Sequence, residues 1–199
     1  IHLYGKEIND ETYAICKSDM MIKGNDPAHI RPGSTLSVDE FAGSRFDFML
    51  SNPPYGKSWK TDQDRLGGAK KIIDPRFLVN HDNDSEYSLV TRSSDGQLMF
   101  LANLISKMKQ GTELGSRIAS VHNGSSLFTG DAGQGESNIR RWIIENDWLE
   151  AIVALPLKMF YNTGIATYVW VLSNRKEDRR KGKVQLIDAT DWFTPLRKN

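Results

Sequence analysis

Short apolar runs alternate with helix-like segments along most of this chain, and that alternation restricts the fold more than any other feature. It is the pattern of an open α/β sheet, not of a barrel of hairpins or a helical bundle. IHLYG, at residues 1–5, reads as a strand. NDETYAICKSDMMI follows as a helix starting at Asn9 or Asp10, with acidic residues in its first turn and Tyr13, Cys16 and Met20 on one face. HIRPGSTL offers a short strand with its turn, and FDFMLS reads as a strand apolar on both faces, as suits an interior parallel strand. Between Gly56 and Ser94 the sequence is polar and poor in periodicity, an excursion of a length that compact domains seldom carry unless it functions or moves. DGQLMFLANLISKMKQ is the clearest helix, with Leu98, Leu101, Leu104, Ile105 and Met108 on one side. SRIASVH is then read as a strand, SNIRRWIIENDW as a helix capped by Ser137 or Asn138, and LEAIVALP, GIATYVWVLS and VQLIDATD as strands. The last two connections are too short for crossover helices, so these final strands are expected to pair antiparallel.

At 199 residues the default is one domain. Lysine and arginine number 26 against 25 aspartates and glutamates, so any nucleic-acid binding would need a local patch and not a global charge. The single cysteine, Cys16, has no second thiol to pair with, which fits a reducing, cytoplasmic setting and a core role. Four scattered histidines lack metal-ligand spacing, so no metal is expected. No run approaches the roughly 18 apolar residues of a membrane span, no signal peptide is recognisable, and no membrane association is expected. The chain opens on Ile1 inside a strand, which reads as a piece of something longer.

FDFMLS stops at Asn52, Pro53, Pro54 and Tyr55. Two prolines and an asparagine would end any strand, but this four-residue string is expected by chance in roughly one chain per thousand of this length, which favours a functional reading. Ligands of open parallel sheets sit beyond the carboxyl ends of the strands, where this cluster lies. The chemistry it suits is methylation of a planar exocyclic nitrogen, whose lone pair is delocalised and poorly nucleophilic. The Asn52 side-chain oxygen and a backbone carbonyl held by Pro53 can accept the two hydrogens of that nitrogen and stabilise its growing positive charge. Tandem proline fixes the carbonyl direction, and Tyr55 offers a face on which a flipped base can stack. None of these groups is a strong base, so the proton is expected to leave for water after the methyl transfer.

The segment resembles the catalytic motif of amino-group methyltransferases that use S-adenosylmethionine. LYGKEINDETYAICKSDMMIKG, FDFMLSNPPYGKSW, the long run from DGQLMF to AIVALP, and MFYNTGIATYVWVL together resemble the modification subunit of type I restriction-modification systems. The resemblance covers nearly the whole chain. It implies a Rossmann-like methyltransferase sheet, mostly parallel with antiparallel final strands, and N6 methylation of adenine in double-stranded DNA. It also implies a separate specificity subunit as partner, with a second modification subunit and a restriction (nuclease) subunit as further candidates. Glu7, at the end of the first visible strand, is implied to hold the ribose of S-adenosylmethionine, and Asn52 to lie against the cofactor as well as the substrate. The alternative for Glu7 is a solvated position near a helix start. Ser34 stands where many relatives carry an acidic or amide residue meeting the cofactor's adenine, and it equally suits a simple turn.

The main departure from the family pattern is that the first strand and its Gly-rich cofactor loop do not occur in this sequence. Residues 1–199 are therefore read as a partial catalytic domain lacking its N-terminal part, with 56–94 as a long loop region on the active-site side. A gap is expected between the strands ending near Gly5 and Ser51. TGDAGQGES is glycine-rich before a helix but lacks the Gly-Lys-Ser/Thr of a phosphate loop. Phe160 and Tyr161 either contact the flipped base opposite Tyr55 or pack in the core. Lys57 and Lys60, with Arg65, Lys70 and Lys71, lie beside the cluster and suit DNA contact better than RKEDRRKGK, which reads as a solvated turn. NHDNDSE reads as polar surface. Two rivals stay open: methylation of a protein glutamine or an RNA guanine, and a non-catalytic fragment that docks to subunits or DNA.

Overall fold

Asn9 turns the first strand into a helix. Its side chain accepts the Thr12 N–H at 2.8 Å, and Asp10 and Glu11 bring negative charge to the first turn, where the helix dipole favours it. The computed structural model, which describes residues 1–68, 71–161 and 163–195, thus opens with β1 (Gly5–Glu7) and α1 (Asp10–Ile22). β2 (Ile30–Pro32) returns parallel to β1, with Gly5 opposite Ile30. The first strand begins at Gly5, later than the expected Ile1. Tyr4 would have to pair with His29, but His29 lies in a 3-10 turn (Pro27–His29), so the two rings stack at 4.1 Å and the ladder stops.

A second sheet carries the core. Its strands are β3 (Phe48–Ser51), β6 (Arg117–Asn123), β7 (Leu149–Ala154), β8 (Thr167–Ser173) and β9 (Gln185–Asp188), in the order β3-β6-β8-β7-β9. β8 runs against both of its neighbours, while β3 is parallel to β6. β9 departs from expectation: it pairs with β7, in parallel, and not with β8. Both edges of β8 are already taken by β6 and β7, so the last strand has to reach the outer edge of β7.

Helices α3 (Gln97–Ser106) and α5 (Gly135–Glu145) cover one face of this sheet. Leu98, Leu101, Ile105, Ile139, Trp142 and Ile143 pack there with Met49, Ile118, Trp170 and Leu172. The short α4 (Ser125–Phe128) follows β6 directly. α5 starts before the expected Ser137 or Asn138: its N-cap is Gln134, and the Asn138 amide is occupied elsewhere, donating to the Ser88 carbonyl at 2.8 Å. β3 is an edge strand among the described residues and not an interior one. Met49 is buried, but Phe48 and Leu50 are 66% and 83% exposed on the other face.

The polar excursion holds α2 (Lys60–Arg65) and a hairpin of β4 (Leu78–His81) and β5 (Asp84–Ser88). NHDNDSE is the turn of that hairpin. Asp82 and Asn83 sit at φ 50° and 65°, the left-handed pair that a two-residue connection needs and that Asp and Asn tolerate. Arg141 of α5 fastens the turn by pairing with Asp82 at 2.6 Å.

Arg76 closes the excursion onto the rest of the molecule. Its buried guanidinium donates to both Asp74 carboxylate oxygens, to the carbonyls of Thr35 at 2.7 Å and Leu36 at 2.8 Å, and to Asn103 Oδ1 at 3.0 Å. All five of its N–H donors are used, which is what makes burial of this charge tolerable. Burial alone would raise the Asp74 carboxyl, but hydrogen bonds from the Arg76 side chain and backbone overcome it and hold the group below its ordinary 3.8. Because the folded value is depressed, the stabilisation is complete above the ordinary value and is lost as pH falls through the lowered one. Asp74→Asn should cost about 3–5 kcal/mol at pH 7 by leaving a buried guanidinium underpaired. It should also flatten the acid limb of stability below about pH 4. Urea unfolding across pH checks both.

Candidate active site

No ladder joins the two sheets among the described residues, and a cleft of about 760 Å³ lies between them, lined by all of β1 and all of β3. Tyr4, just before β1, and Phe46, just before β3, approach to 5.2 Å between ring centroids, with Phe41 edge-on to each. The two strands therefore start together and carry Glu7 and Asn52 at their far ends. Glu7, Ser34, Asn52, Pro53, Pro54 and Lys57 all line this one cleft.

Glu7 stands both at the start of α1 and on the cleft. One carboxylate oxygen accepts the Asn9 N–H at 2.8 Å, the helix-start role, while the half-buried side chain still borders the cleft. Ser34 is buried and its hydroxyl accepts the Leu36 N–H at 3.3 Å, so it serves the turn and borders the cleft at once. Lys6, which the sequence did not single out, lines the same cleft. Its ammonium donates to the Val38 carbonyl, and burial lowers its pKa.

In the loop that follows β3, Pro53 is buried while Asn52 and Pro54 are exposed, and all three line the cleft. Tyr55 is half-buried, next to the prolines but not among the lining residues. Lys57 and Lys60 are exposed beside it, as are Arg65 and Lys71; Lys70 lies outside the described residues. β7 is parallel to β6 and β3, so the chain after β7 leaves the sheet at the same, carboxyl end of the strands as Asn52. Phe160 is half-buried and Tyr161 exposed there, and neither lines the cleft. TGDAGQGES also stays out of the cleft. RKEDRRKGK is largely paired with itself and its neighbours, through Arg179–Glu177, Lys181–Asp178 and Lys176–Asp147. Among the described residues no group of three His, Cys, Asp or Glu side chains is placed to hold a metal, and no helix is long and apolar enough to cross a membrane.

Sequence reasoning missed a set of residues that begins at the cleft wall with Trp59. Trp59 is buried and bonded through both of its N–H groups to the 92–93 segment. Gln97, at the start of α3, donates to Asp95 at 2.6 Å, Asn123 at 2.8 Å and Ser125 at 3.0 Å, and so binds the end of β6 to that same segment. Its carbonyl oxygen faces His122 Nδ1 at 3.3 Å, which makes the Nδ1–H the donor. The available signal was Asp-Gly-Gln immediately ahead of an apolar helix, a polar side chain where a core-facing turn begins.

Burial lowers the His122 pKa to about 3, so the imidazole is neutral in the folded protein. The unfolded chain takes up a proton near the ordinary 6.5 and the folded chain does not. Stability should therefore fall by about 1.4 kcal/mol per pH unit as pH drops through the window from 6.5 towards 3. His122→Asn should remove that one-proton component, read as the difference between the two proteins' urea-unfolding free energies at pH 7 and pH 5.

A sequence profile of the N-6 DNA methylase family matches residues 1–199. A type I restriction enzyme methylase subunit, MjaIX, from Methanocaldococcus jannaschii is 29% identical over 196 residues, covering 98% of this chain and 32% of that protein. The crystal structure of a type I restriction-modification methyltransferase subunit from Streptococcus thermophilus superposes with a TM-score of 0.77 at 26% identity, over 98% of this chain and 38% of the other. A Listeria monocytogenes protein, provisionally assigned to the class I S-adenosylmethionine-dependent methyltransferases, shares the fold alone, with a TM-score of 0.63 at 14% identity, over 94% of this chain and 49% of that one. The α/β fold is that of the class I methyltransferases. The chain spans about a third of the length of the curated relatives it matches.

Proposed function

The chain belongs to the N-6 DNA methylase family, and on that premise we propose that it is the catalytic part of a type I modification subunit that methylates adenine N6 in double-stranded DNA. The observation that carries the reading is the convergence of Glu7 and the Asn52–Pro54 turn on one cleft from the ends of two strands that start side by side. Its volume is within the range of small-molecule sites, and its chemistry suits a nucleoside cofactor: a carboxylate for ribose hydroxyls at one wall, an amide and proline carbonyls at the other. Glu7 and Ser34 are the residues proposed to hold S-adenosylmethionine, with Asn52 lying against it but carrying little of its affinity. When bound, that cofactor supplies an electrophilic methyl group.

Everything else in the proposed step falls to the chain. Asn52 Oδ1 and the Pro53 carbonyl accept the two N6 hydrogens of a base flipped out of the duplex, and their partial negative charge stabilises the positive charge that grows on N6. Tyr55 stacks on the base. No strong base stands in the loop, so the proton released from N6 goes to water. Lys57 and Lys60 steer phosphates, and Phe160 or Tyr161 closes on the base from the 155–166 loop. The reading extends to partners: a specificity subunit that reads the target, with a second modification subunit and a nuclease subunit in the larger assembly, and its support is that the relatives are named as subunits of type I restriction enzymes.

The facing edges of β1 and β3, unpaired among the described residues, and the bare Phe48 and Leu50 support one further element of the reading. A strand from the rest of the polypeptide fills the space between the sheets and completes the cofactor wall. Calorimetry should accordingly show micromolar S-adenosylmethionine binding by the longer protein and weak binding by residues 1–199 alone.

In the longer protein, Asn52→Ala should lower methyl transfer by about 10²–10³-fold while leaving cofactor affinity nearly intact. Glu7→Gln should weaken cofactor binding by about tenfold. Tritiated methyl transfer followed by nucleoside analysis checks both the variants and the product. Label in protein or RNA with none in DNA adenine would refute the assignment, as would normal turnover by Asn52→Ala.

A further inference from the structure

The Asn52–Ser58 loop is fixed at both ends. Its entry is Ser51, the last residue of β3, paired with Ser120 of β6. Its exit is Trp59, 4% exposed, whose backbone N–H donates to the Ser93 carbonyl at 2.9 Å and whose indole N–H donates to the Arg92 carbonyl at 2.8 Å. The ring lies flush against Gly96, where a Cβ would come within 3.0 Å of Trp59 Cδ1. A side chain at Gly96 would press on the ring and require it to give by a few tenths of an ångström.

The two carbonyls that receive Trp59 are themselves held from a distance. Glu136, the second residue of α5 and 6% exposed, accepts the Arg92 N–H at 3.3 Å and pairs with the Arg92 guanidinium at 3.2 Å. Beside it, Gly135 packs so closely on the Val90 carbonyl that any Cβ would overlap it. Thr91 Oγ1 donates to the Asp95 carbonyl at 3.0 Å and ties the segment to itself. A continuous set of contacts thus runs from the start of α5, through residues 90–96, to Trp59 and the exit of the loop that carries Asn52.

We propose that Trp59 is a positioning residue for the amine-holding loop, and that Glu136 acts through Arg92 to place the carbonyls to which Trp59 is bonded. This rests on the reading of Asn52 and Pro53 as the groups that hold the target amine. Loss of the indole bond frees one end of the loop but leaves β3 and the Glu7 wall in place. The effect therefore belongs in kcat, with cofactor binding spared. A misplacement on the order of 1 Å at reacting groups costs about 10²-fold in rate, so partial release of the loop has room to show.

The test uses the full-length modification enzyme with steady-state methyl transfer, cofactor titration and thermal melting on every variant. Trp59→Phe, which keeps the ring and removes the indole donor, should lower kcat about tenfold, with KM for S-adenosylmethionine unchanged within about twofold. Glu136→Ala should show the same split, and Glu136→Gln, which keeps an oxygen for the Arg92 N–H, should restore most of the rate. Asn52→Ala is the control that separates the two claims. If Asn52→Ala is inactive while Trp59→Phe and Glu136→Ala keep wild-type kcat, the positioning role is overturned and the amine-holding role stands. If Asn52→Ala turns over normally, it is the function reading that fails. Parallel losses in kcat, cofactor affinity and melting temperature would show a general structural role and overturn the proposal. Should Trp59→Phe not fold, the Glu136→Ala and Glu136→Gln pair decides the matter alone.

Discussion

Among the described residues one wall of the cleft shares no ladder with the sheet facing it, so something else has to hold it, and here much of that task falls to one buried guanidinium. Arg76 draws the Thr35 and Leu36 carbonyls, which follow directly from β2, onto Asn103 of α3 and onto Asp74. Lys107, at the end of α3, adds an ion pair to Asp39 in the same connection, and Tyr4 against Phe46 closes the bottom. Directional polar bonds to a fixed charge hold an angle better than apolar contact, which is non-directional and tolerates sliding. The separation of Glu7 from Asn52 thus depends on a polar hub that lies on neither strand.

The two halves of the proposed reaction consequently rest on different supports. Glu7 is set by Asn9 and the start of α1, within the β1–β2 unit. The acceptor loop is set by β3 at its entry and Trp59 at its exit, within the five-stranded unit. Among the described residues, a change on one side reaches the other through the Arg76 hub, the Lys107–Asp39 pair, the aromatic floor and the packing of Leu36 in the core, or through whatever occupies the cleft. An element bonded to both free strand edges would convert this arrangement into one continuous sheet and fix the distance between donor and acceptor.

Legibility in the sequence followed the range of the forces involved. The Asn9 cap, the acidic first turn, the apolar side of α3 and the strand ending at Ser51 are local patterns, and each was readable from a few neighbouring residues. The Gly56–Ser94 excursion yielded little, because its organisation comes from bonds across the chain. Trp59 reaches 33 residues to Arg92, Arg76 reaches 41 to Thr35, and Arg92 reaches 44 to Glu136. Such bonds leave no periodicity. The same holds for α5, where a glycine pressed on a distant carbonyl, and not a capping side chain, decides where the helix begins. β9 was misplaced for a related reason: connection length says which way a strand can run, but not which edges remain free when it arrives.

The double proline is explained by the strand beside it. β6 does not stop where β3 stops: it continues past Ser120 through Val121, His122 and Asn123, paired with β8 on its far side. Its near edge would therefore offer residues 52–54 a parallel ladder to extend. Pro53 and Pro54 have no N–H to contribute, so the ladder cannot propagate, and the Asn52 and Pro53 carbonyls are released from sheet pairing. The Asn52 side chain, next to the last paired residue, inherits the alignment of the strand without being bound by it. Substituting residues that carry an N–H would give the loop a competing way to satisfy its backbone, by zipping onto β6. The prolines act as much by removing that alternative as by fixing φ, and this is why a strand end in this position becomes a set of free acceptors and not two more rungs of sheet.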